Sequence, residues 1–298
     1  MSRIVRIFQV DAFTSEQFSG NPAGVVLDAG QLTAAEMQAI ARELNNGDTA
    51  FVLPATAEDH DIGVRFFTPR KEAPFVGHAT LAAHAVLARQ NPQPLRRQKG
   101  MTGIVEVEAL PGNAGFSIRQ PAPPLGRTLA AGELDQVLAL LGLTREHLDA
   151  GCPARIAGAA STRLLLGVRD GEALDQMQPQ LAALGALSPL LGAQGYFAFT
   201  RKSRVAGCAT EARMFCPALG IDEDPVSGNA HAMLGVYLAE HRLLGKGSDS
   251  AQFVGAQGTH VGRPGHVAVS VELDAAGKAT AASIAGQAVV VFEAELRL

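Results

Sequence analysis

The sequence predicts an α+β chain of two similar domains, each a curved, mostly antiparallel sheet or barrel around a central buried helix, with a cleft between the domains. Two distant stretches repeat one pattern, the helix in each copy is apolar on all sides, and β-branched runs of strand length flank both.

In the repeat, GDTAF from Gly47 meets GYFAF from Gly195 at an offset of 148 residues, and VRFFTP from Val64 meets ARMFCP from Ala212 in the same register. Arg65, Phe67 and Pro69 thereby coincide with Arg213, Phe215 and Pro217. After a three-residue insertion, EAPFVGHATLAAHAVLA meets EDPVSGNAHAMLGVYLA at an offset of 151, pairing Glu72 with Glu223, Pro74 with Pro225 and Gly77 with Gly228. Each copy reads as two strands, a turn of pattern E-x-P-x-x-G, and a helix.

Those helices, Ala79 to Ala88 and Ala230 to Ala239, are apolar all round with His84 the main exception, so they belong inside, with His84 structural. The runs IVRIFQV, GIVEVEAL, HVAVSVEL and AVVVFEAEL supply strands to bury them. In LTAAEMQAIAREL, Thr33 and Glu36 form a capping box, and Leu32, Met37, Ile40 and Leu44 make a single apolar stripe. That helix belongs on the outside of a sheet. The segment LAAGELDQVLALLGL also reads as helical. The crossover falls near Pro121, giving domains over 1–120 and 121–285, and the final strand, 286–298, is a candidate to return to the first domain.

With 298 residues, 47% hydrophobic and 18% charged, the chain has material for a large core or two ordinary ones. A net charge of −4 without a Lys/Arg block gives no footprint for nucleic acid. The opening MSRIVRIFQVDAF reads as a strand and not a signal peptide, and the longest uncharged stretch, Leu181 to Phe199, carries Gly, Pro, Ser and Gln. No membrane segment is expected, and the cytoplasm is the expected location. Cys152, Cys208 and Cys216 form no C-x-x-C, so neither a disulfide framework nor a zinc site is expected. G-x-G-x-x-G after a strand, the P-loop and H-E-x-x-H are all missing, which disfavours nucleotide and zinc chemistry.

Both central helices open on Gly followed by a polar residue, Gly77-His78 and Gly228-Asn229, and helix starts of this kind bind anions. If the halves face one another, a substrate carboxylate held there is expected. Acid–base groups are sought where the repeat breaks: Asp48 against Tyr196, Asp224 against Ala73, and His78 against Asn229. Simpler readings stand beside these. Asp48 follows Asn46-Gly47 and fits a turn, Asp222-Glu223-Asp224 fits a solvated acidic turn, and Ser227 fits a helix cap.

The segments VDAFTSEQFSGNPAGVV from Val10, ARELNNGDTAFVLP from Ala41, FFTPRKEAPFVGHATLAAH from Phe66, RMFCPALGIDEDPVSGNAHAML from Arg213 and, more weakly, GAQGTHVGRPG from Gly255 cover nearly the whole chain. Together they resemble the phenazine-biosynthesis PhzF-like family, within the diaminopimelate-epimerase-like fold. The resemblance implies a homodimer, no cofactor, and isomerase chemistry on a small carboxylate-bearing substrate by proton shuttling. It places the shuttling acid at Asp48, where the family usually has Glu, so the side chain is one methylene shorter. His78 and Asp224 match groups that orient the substrate and assist protonation, and Asn21 in GNPAG matches a position lining the same cleft. Related epimerases carry paired cysteines at the helix starts, whereas His78 and Asn229 stand there in this chain, so thiol-based racemisation is not expected. The rival readings are an amino-acid epimerase or racemase, a catalytically inactive binder of a carboxylate metabolite, and a purely structural dimer.

Overall fold

The computed structural model describes residues 3–243 and 250–298. The chain divides into two units, Met1–Gln120 with Ala285–Leu298, and Pro121–Ile284.

The first unit contains β1 (Ile4–Ala12), β2 (Asn21–Val26), α1 (Ala34–Leu44), β3 (Asp48–Pro54), β4 (Ile62–Phe67), the two-residue β5 (Glu72–Ala73), α2 (Gly77–Gln90), β6 (Leu95–Gly100), β7 (Gly103–Ala109) and β8 (Phe116–Pro121). β1 and β2 are antiparallel, β2 and β3 parallel, β3 and β4 antiparallel, β4 and β6 parallel, and β6, β7 and β8 follow as antiparallel neighbours. Parallel neighbours need crossovers, and α1 and α2 provide them. The last strand of the chain, Ala288–Arg297, lies antiparallel to β1, with Ile4 opposite Arg297.

Alternation along the strands splits the core in two. Phe8, Val10, Val25, Ala50, Val64 and Phe66 pack with Ala79, Ala82, Ala83 and Val86 of α2. Ile7, Val26, Phe51 and Phe67 turn the other way and meet Met37, Ile40 and Ala41 of α1. The capping box at Thr33 and Glu36 is present, with the Glu36 N–H donating to Thr33 Oγ1 at 3.2 Å and the Thr33 N–H donating to Glu36 Oε2 at 2.8 Å. His84 is buried in α2 with its Nε2 3.0 Å from Gln98 Oε1, a satisfied core histidine.

The second unit repeats this connectivity with β9 (Leu125–Thr128), α3 (Ala131–Leu141), β10 (Arg155–Ala157), β11 (Arg163–Gly167), α4 (Gly171–Asp175), α5 (Leu181–Leu191), β12 (Gly195–Thr200), β13 (Thr210–Phe215), α6 (Gly228–Glu240), β14 (Ser250–Gln257), β15 (Gly265–Leu273) and β16 (Ala279–Gly286). Again β10 and β11 are antiparallel, β11 and β12 parallel, β12 and β13 antiparallel, β13 and β14 parallel, and β14 and β15 antiparallel. α5 occupies the place of α1 and α6 that of α2. Ala230, Met233, Leu234, Val236 and Leu238 of α6 are all buried, as a helix apolar on every side requires.

Equivalent side chains repeat the same contacts. Arg65 grips Glu72 with two bonds of 2.7 Å and lies 5.1 Å from the ring centre of Phe67. Arg213 grips Glu223 at 2.9 and 2.8 Å and lies 5.0 Å from the ring centre of Phe215. Thr80 Oγ1 donates to the Val76 carbonyl at 2.9 Å, and His231 Nδ1 takes its place against the Ser227 carbonyl, also at 2.9 Å.

One alignment is corrected. Thr49 stands opposite Phe67 and Tyr196 opposite Phe215, so with Phe67 and Phe215 equivalent, Thr49 corresponds to Tyr196 and Asp48 to Gly195. The strands align at an offset of 147, not the 148 of the matching letters, and Tyr196 is not the counterpart of Asp48. A one-residue slip exchanges the two faces of a strand. Phe51 indeed faces α1, whereas Phe199 packs on Tyr237 of α6 with ring centres 5.8 Å apart.

Candidate active site

Asp48 is the first residue of β3, and the preceding turn holds it firmly. α1 ends on Asn45 in the left-handed region (φ 52°), whose N–H donates to the Ala41 carbonyl at 3.1 Å. Asn tolerates that conformation better than most residues. The next residue, Asn46, exchanges two amide hydrogen bonds with Gln9 of β1, at 2.8 and 3.1 Å. Asp48 then pairs in parallel with Ala23, two residues beyond the buried Asn21 that opens β2. Gln9 and Asn46 carry no motif; the only hint is an amide inside the otherwise apolar IFQV run.

α2 begins at Gly77 with Val76 as its N-cap, which offers no side-chain hydrogen bond. The N–H groups of Gly77, His78 and Ala79 are those that a helix leaves without internal partners, and they lie at its positive end. His78 brings Nε2 to 3.8 Å from Asp48 Oδ2, with the two side chains 12% and 14% exposed. That Nε2 is buried and has no hydrogen-bond partner among the described residues. At 3.8 Å the carboxylate makes no hydrogen bond to offset desolvation, and burial holds the imidazole down to about 4. A mostly buried carboxylate therefore faces a neutral imidazole at the start of α2.

In the second unit, Asp224, Ser227, Gly228 and Asn229 lie at the approach to α6. Ser227 is its N-cap, accepting from the Ala230 N–H at 3.3 Å. The Asp224 N–H donates to the Met214 carbonyl at 2.9 Å. Glu223 is no solvated turn residue, since it is committed to Arg213. A clamp that sequence reasoning missed holds this segment: buried Gln257 accepts the Ser227 N–H at 3.1 Å and donates to the Asp224 carbonyl at 2.6 Å. Gln257→Ala is expected to destabilise the protein by about 1–3 kcal/mol, because a buried N–H and a carbonyl both lose their partner. Urea unfolding checks this, and an unchanged midpoint would mean that the segment holds itself.

The cysteines offer no reactive thiolate. Burial pushes the Cys152 thiol up to about 11 and Cys216 to about 12, and it raises Cys208 as well. Among the described residues no cluster of His, Cys, Asp or Glu is placed to hold a metal ion, and no helix is long and apolar enough to cross a membrane. A cavity of about 300 Å³ in the first unit, lined by His60, Arg65, Glu72, Lys99 and Met101 among others, includes neither Asp48 nor His78.

His78, His84 and His231 are all held at about 4 by burial, against 6.5 for a solvated imidazole. As pH falls through 6.5 the unfolded chain takes up protons that the folded chain refuses, so stability drops until about pH 4. Each histidine contributes a slope of about 1 kcal/mol per pH unit in that window. The lowered carboxylates, such as Asp61 and Asp175, act only near and below their ordinary range, leaving the region above pH 5 to histidine. Urea midpoints measured from pH 7 to pH 5 should fall steadily; a flat profile would contradict burial of these rings in neutral form.

Residues 10–294 match the phenazine biosynthesis-like protein family. An uncharacterised isomerase of Clostridium acetobutylicum is 37% identical over 302 residues, covering 100% of each chain. The trans-2,3-dihydro-3-hydroxyanthranilate isomerase of Pseudomonas aeruginosa is 31% identical over 270 residues, covering 90% of each. Among solved structures, a PhzF-family phenazine biosynthesis protein of Bacillus anthracis superposes with a TM-score of 0.88 at 27% identity, covering 99% of each chain. Sequence and fold agree over the full length, and the chain is an isomerase of the phenazine biosynthesis-like family.

Proposed function

We propose that this isomerase acts without a cofactor on a small carboxylate-bearing metabolite, moving a proton from one carbon to another through Asp48. The observation that carries this reading is the mostly buried Asp48 carboxylate 3.8 Å from the neutral His78 imidazole, at a helix start with no side-chain cap. Asp48 takes a proton from an acidic carbon, the electron pair delocalises into the adjoining π system, and the same carboxyl returns the proton elsewhere. His78, neutral with its proton on Nε2, donates a hydrogen bond to the charge that develops. The N–H groups of Gly77 and His78 suit a substrate carboxylate. Asn21, Asp224, Ser227, Gly228 and Asn229 enter this reading on the family resemblance, Asp224 as an assisting acid and the others as substrate-binding positions. The same resemblance supports a homodimer, and the cysteines, which form no C-x-x-C, support a cytoplasmic location.

The Pseudomonas relative is named for a cyclic dihydro-hydroxyanthranilate, which places cyclic carboxylates first among candidates. The test is NMR in heavy water with a panel of cyclic and amino carboxylates, that compound included. Solvent deuterium entering a ring carbon with migration of a double bond is the expected result. Entry at an α-carbon with loss of chirality would replace this reading with an epimerase, and ligand shifts without exchange would replace it with a binding protein.

A further inference from the structure

Arg163 opens β11 and is 7% exposed, yet its guanidinium makes a single hydrogen bond, from Nη1 to the Thr162 carbonyl at 2.9 Å. Its Nε is buried without a partner, and among the described residues no carboxylate lies within ion-pairing distance of it. An arginine buried without a counter-charge is a liability to folding. Arg213, buried to a similar degree in the same unit, shows the usual solution: a bidentate carboxylate from Glu223 and a bond to the Leu174 carbonyl.

The place of Arg163 in the repeat gives the unpaired charge a meaning. Its neighbour across the parallel ladder is Gly195, the counterpart of Asp48, and Arg163 Cδ lies 3.0 Å from where a Cβ on Gly195 would sit. Space that holds a carboxylate in the first unit is thus given over to the arginine and to Cys216, whose Sγ lies 2.4 Å from the same point. In the first unit this position faces the second residue of the central helix, His78, and the second residue of α6 is Asn229. Cys216 feels both charged groups of the region, with burial dominant, Arg163 lowering its pKa and Asp224 raising it.

We propose that Arg163 is an anion-binding residue of the second unit, taking the carboxylate of a small organic acid through its Nε–H. The proposal rests on the reading above only for the choice of a carboxylate as the anion. A guanidinium edge matches the two oxygens of that group in spacing and plane.

The probe is benzoate, with benzamide as its neutral isostere. The Arg163 Nε–H resonance, identified by its loss in Arg163→Lys, should move downfield and saturate with benzoate, and stay in place with benzamide. Arg163→Lys should bind benzoate at least tenfold more weakly than the native protein. Arg163→Met should raise the urea midpoint, since it removes a buried charge that the fold itself does not neutralise, whereas a structural arginine would lower it. An unmoved Nε–H resonance, an equal response to benzamide, or a lower midpoint in Arg163→Met would overturn the proposal. Heavy-water exchange reports separately on Asp48, so loss of the isomerase reading would leave a benzoate response at Arg163 standing.

Discussion

Asp48→Asn is expected to slow proton exchange on the substrate by about 10²–10⁴-fold, the range that a positioned acid–base group supplies. Asparagine keeps the size and most of the hydrogen-bonding capacity of aspartate but cannot accept and return a proton. The surroundings should survive the change, because the Asn45 cap, the Gln9–Asn46 amide pair and the ladder to Ala23 do not depend on the carboxylate charge. The loss should therefore fall on the rate at saturating substrate, with circular dichroism and the urea midpoint little altered. Asp48→Glu moves the carboxylate by one methylene from its native position. A displacement of about 1 Å costs on the order of 100-fold where positioning carries catalysis, so this variant should be impaired but remain more active than Asp48→Asn. His78, held at about 4, stays neutral through physiological pH, so no inflection near 6.5 is expected in the rate profile. Native exchange rates in Asp48→Asn would remove Asp48 from the mechanism.

Much of this arrangement is legible in the chain, and the parts that are not have physical reasons. α1 is announced by the Thr33–Glu36 box and its apolar stripe, and α2 and α6 by apolar composition on every side. The repeat is legible because both copies keep an arginine two residues before Phe67 or Phe215 and the glutamate that pairs with it, across a three-residue insertion. The register of β3 against β12 is another matter. Alternation reveals register only when one face of a strand is wet, and here Ala50, Phe51 and Val52 are buried in succession, as is all of β12. The clamps on the site are hidden for a different reason. Asn46 finds Gln9 across 37 residues and Gln257 finds Asp224 across 33, and amides pair through geometry that no local pattern encodes. Arg163 reads in sequence as one more charged residue, and only burial without a partner sets it apart.

The repeat also provides an internal control on the worth of an ion pair. Glu223→Gln is expected to destabilise the protein by about 3 kcal/mol, whereas Glu72→Gln should cost no more than about 1 kcal/mol. The two pairs share bidentate geometry and an aromatic ring beneath the arginine, so neither hydrogen-bond length nor cation–π contact explains a difference. Burial does: the side chains of Arg65 and Glu72 are 33% and 28% exposed, against 10% and 14% for Arg213 and Glu223. When Glu72 loses its charge, water reaches Arg65 and replaces most of what was lost. Arg213 has no such recourse beyond the Leu174 and Met177 carbonyls, at 2.9 and 3.5 Å, which soften the penalty without supplying a counter-charge. Removing both partners should cost far less than removing one, so Arg213→Met combined with Glu223→Leu is expected to recover most of the stability lost in Glu223→Gln. Urea unfolding of the four proteins measures the set. Equal losses for Glu72→Gln and Glu223→Gln would show that hydrogen-bond geometry, and not desolvation of the unpaired guanidinium, governs the strength of this repeated contact.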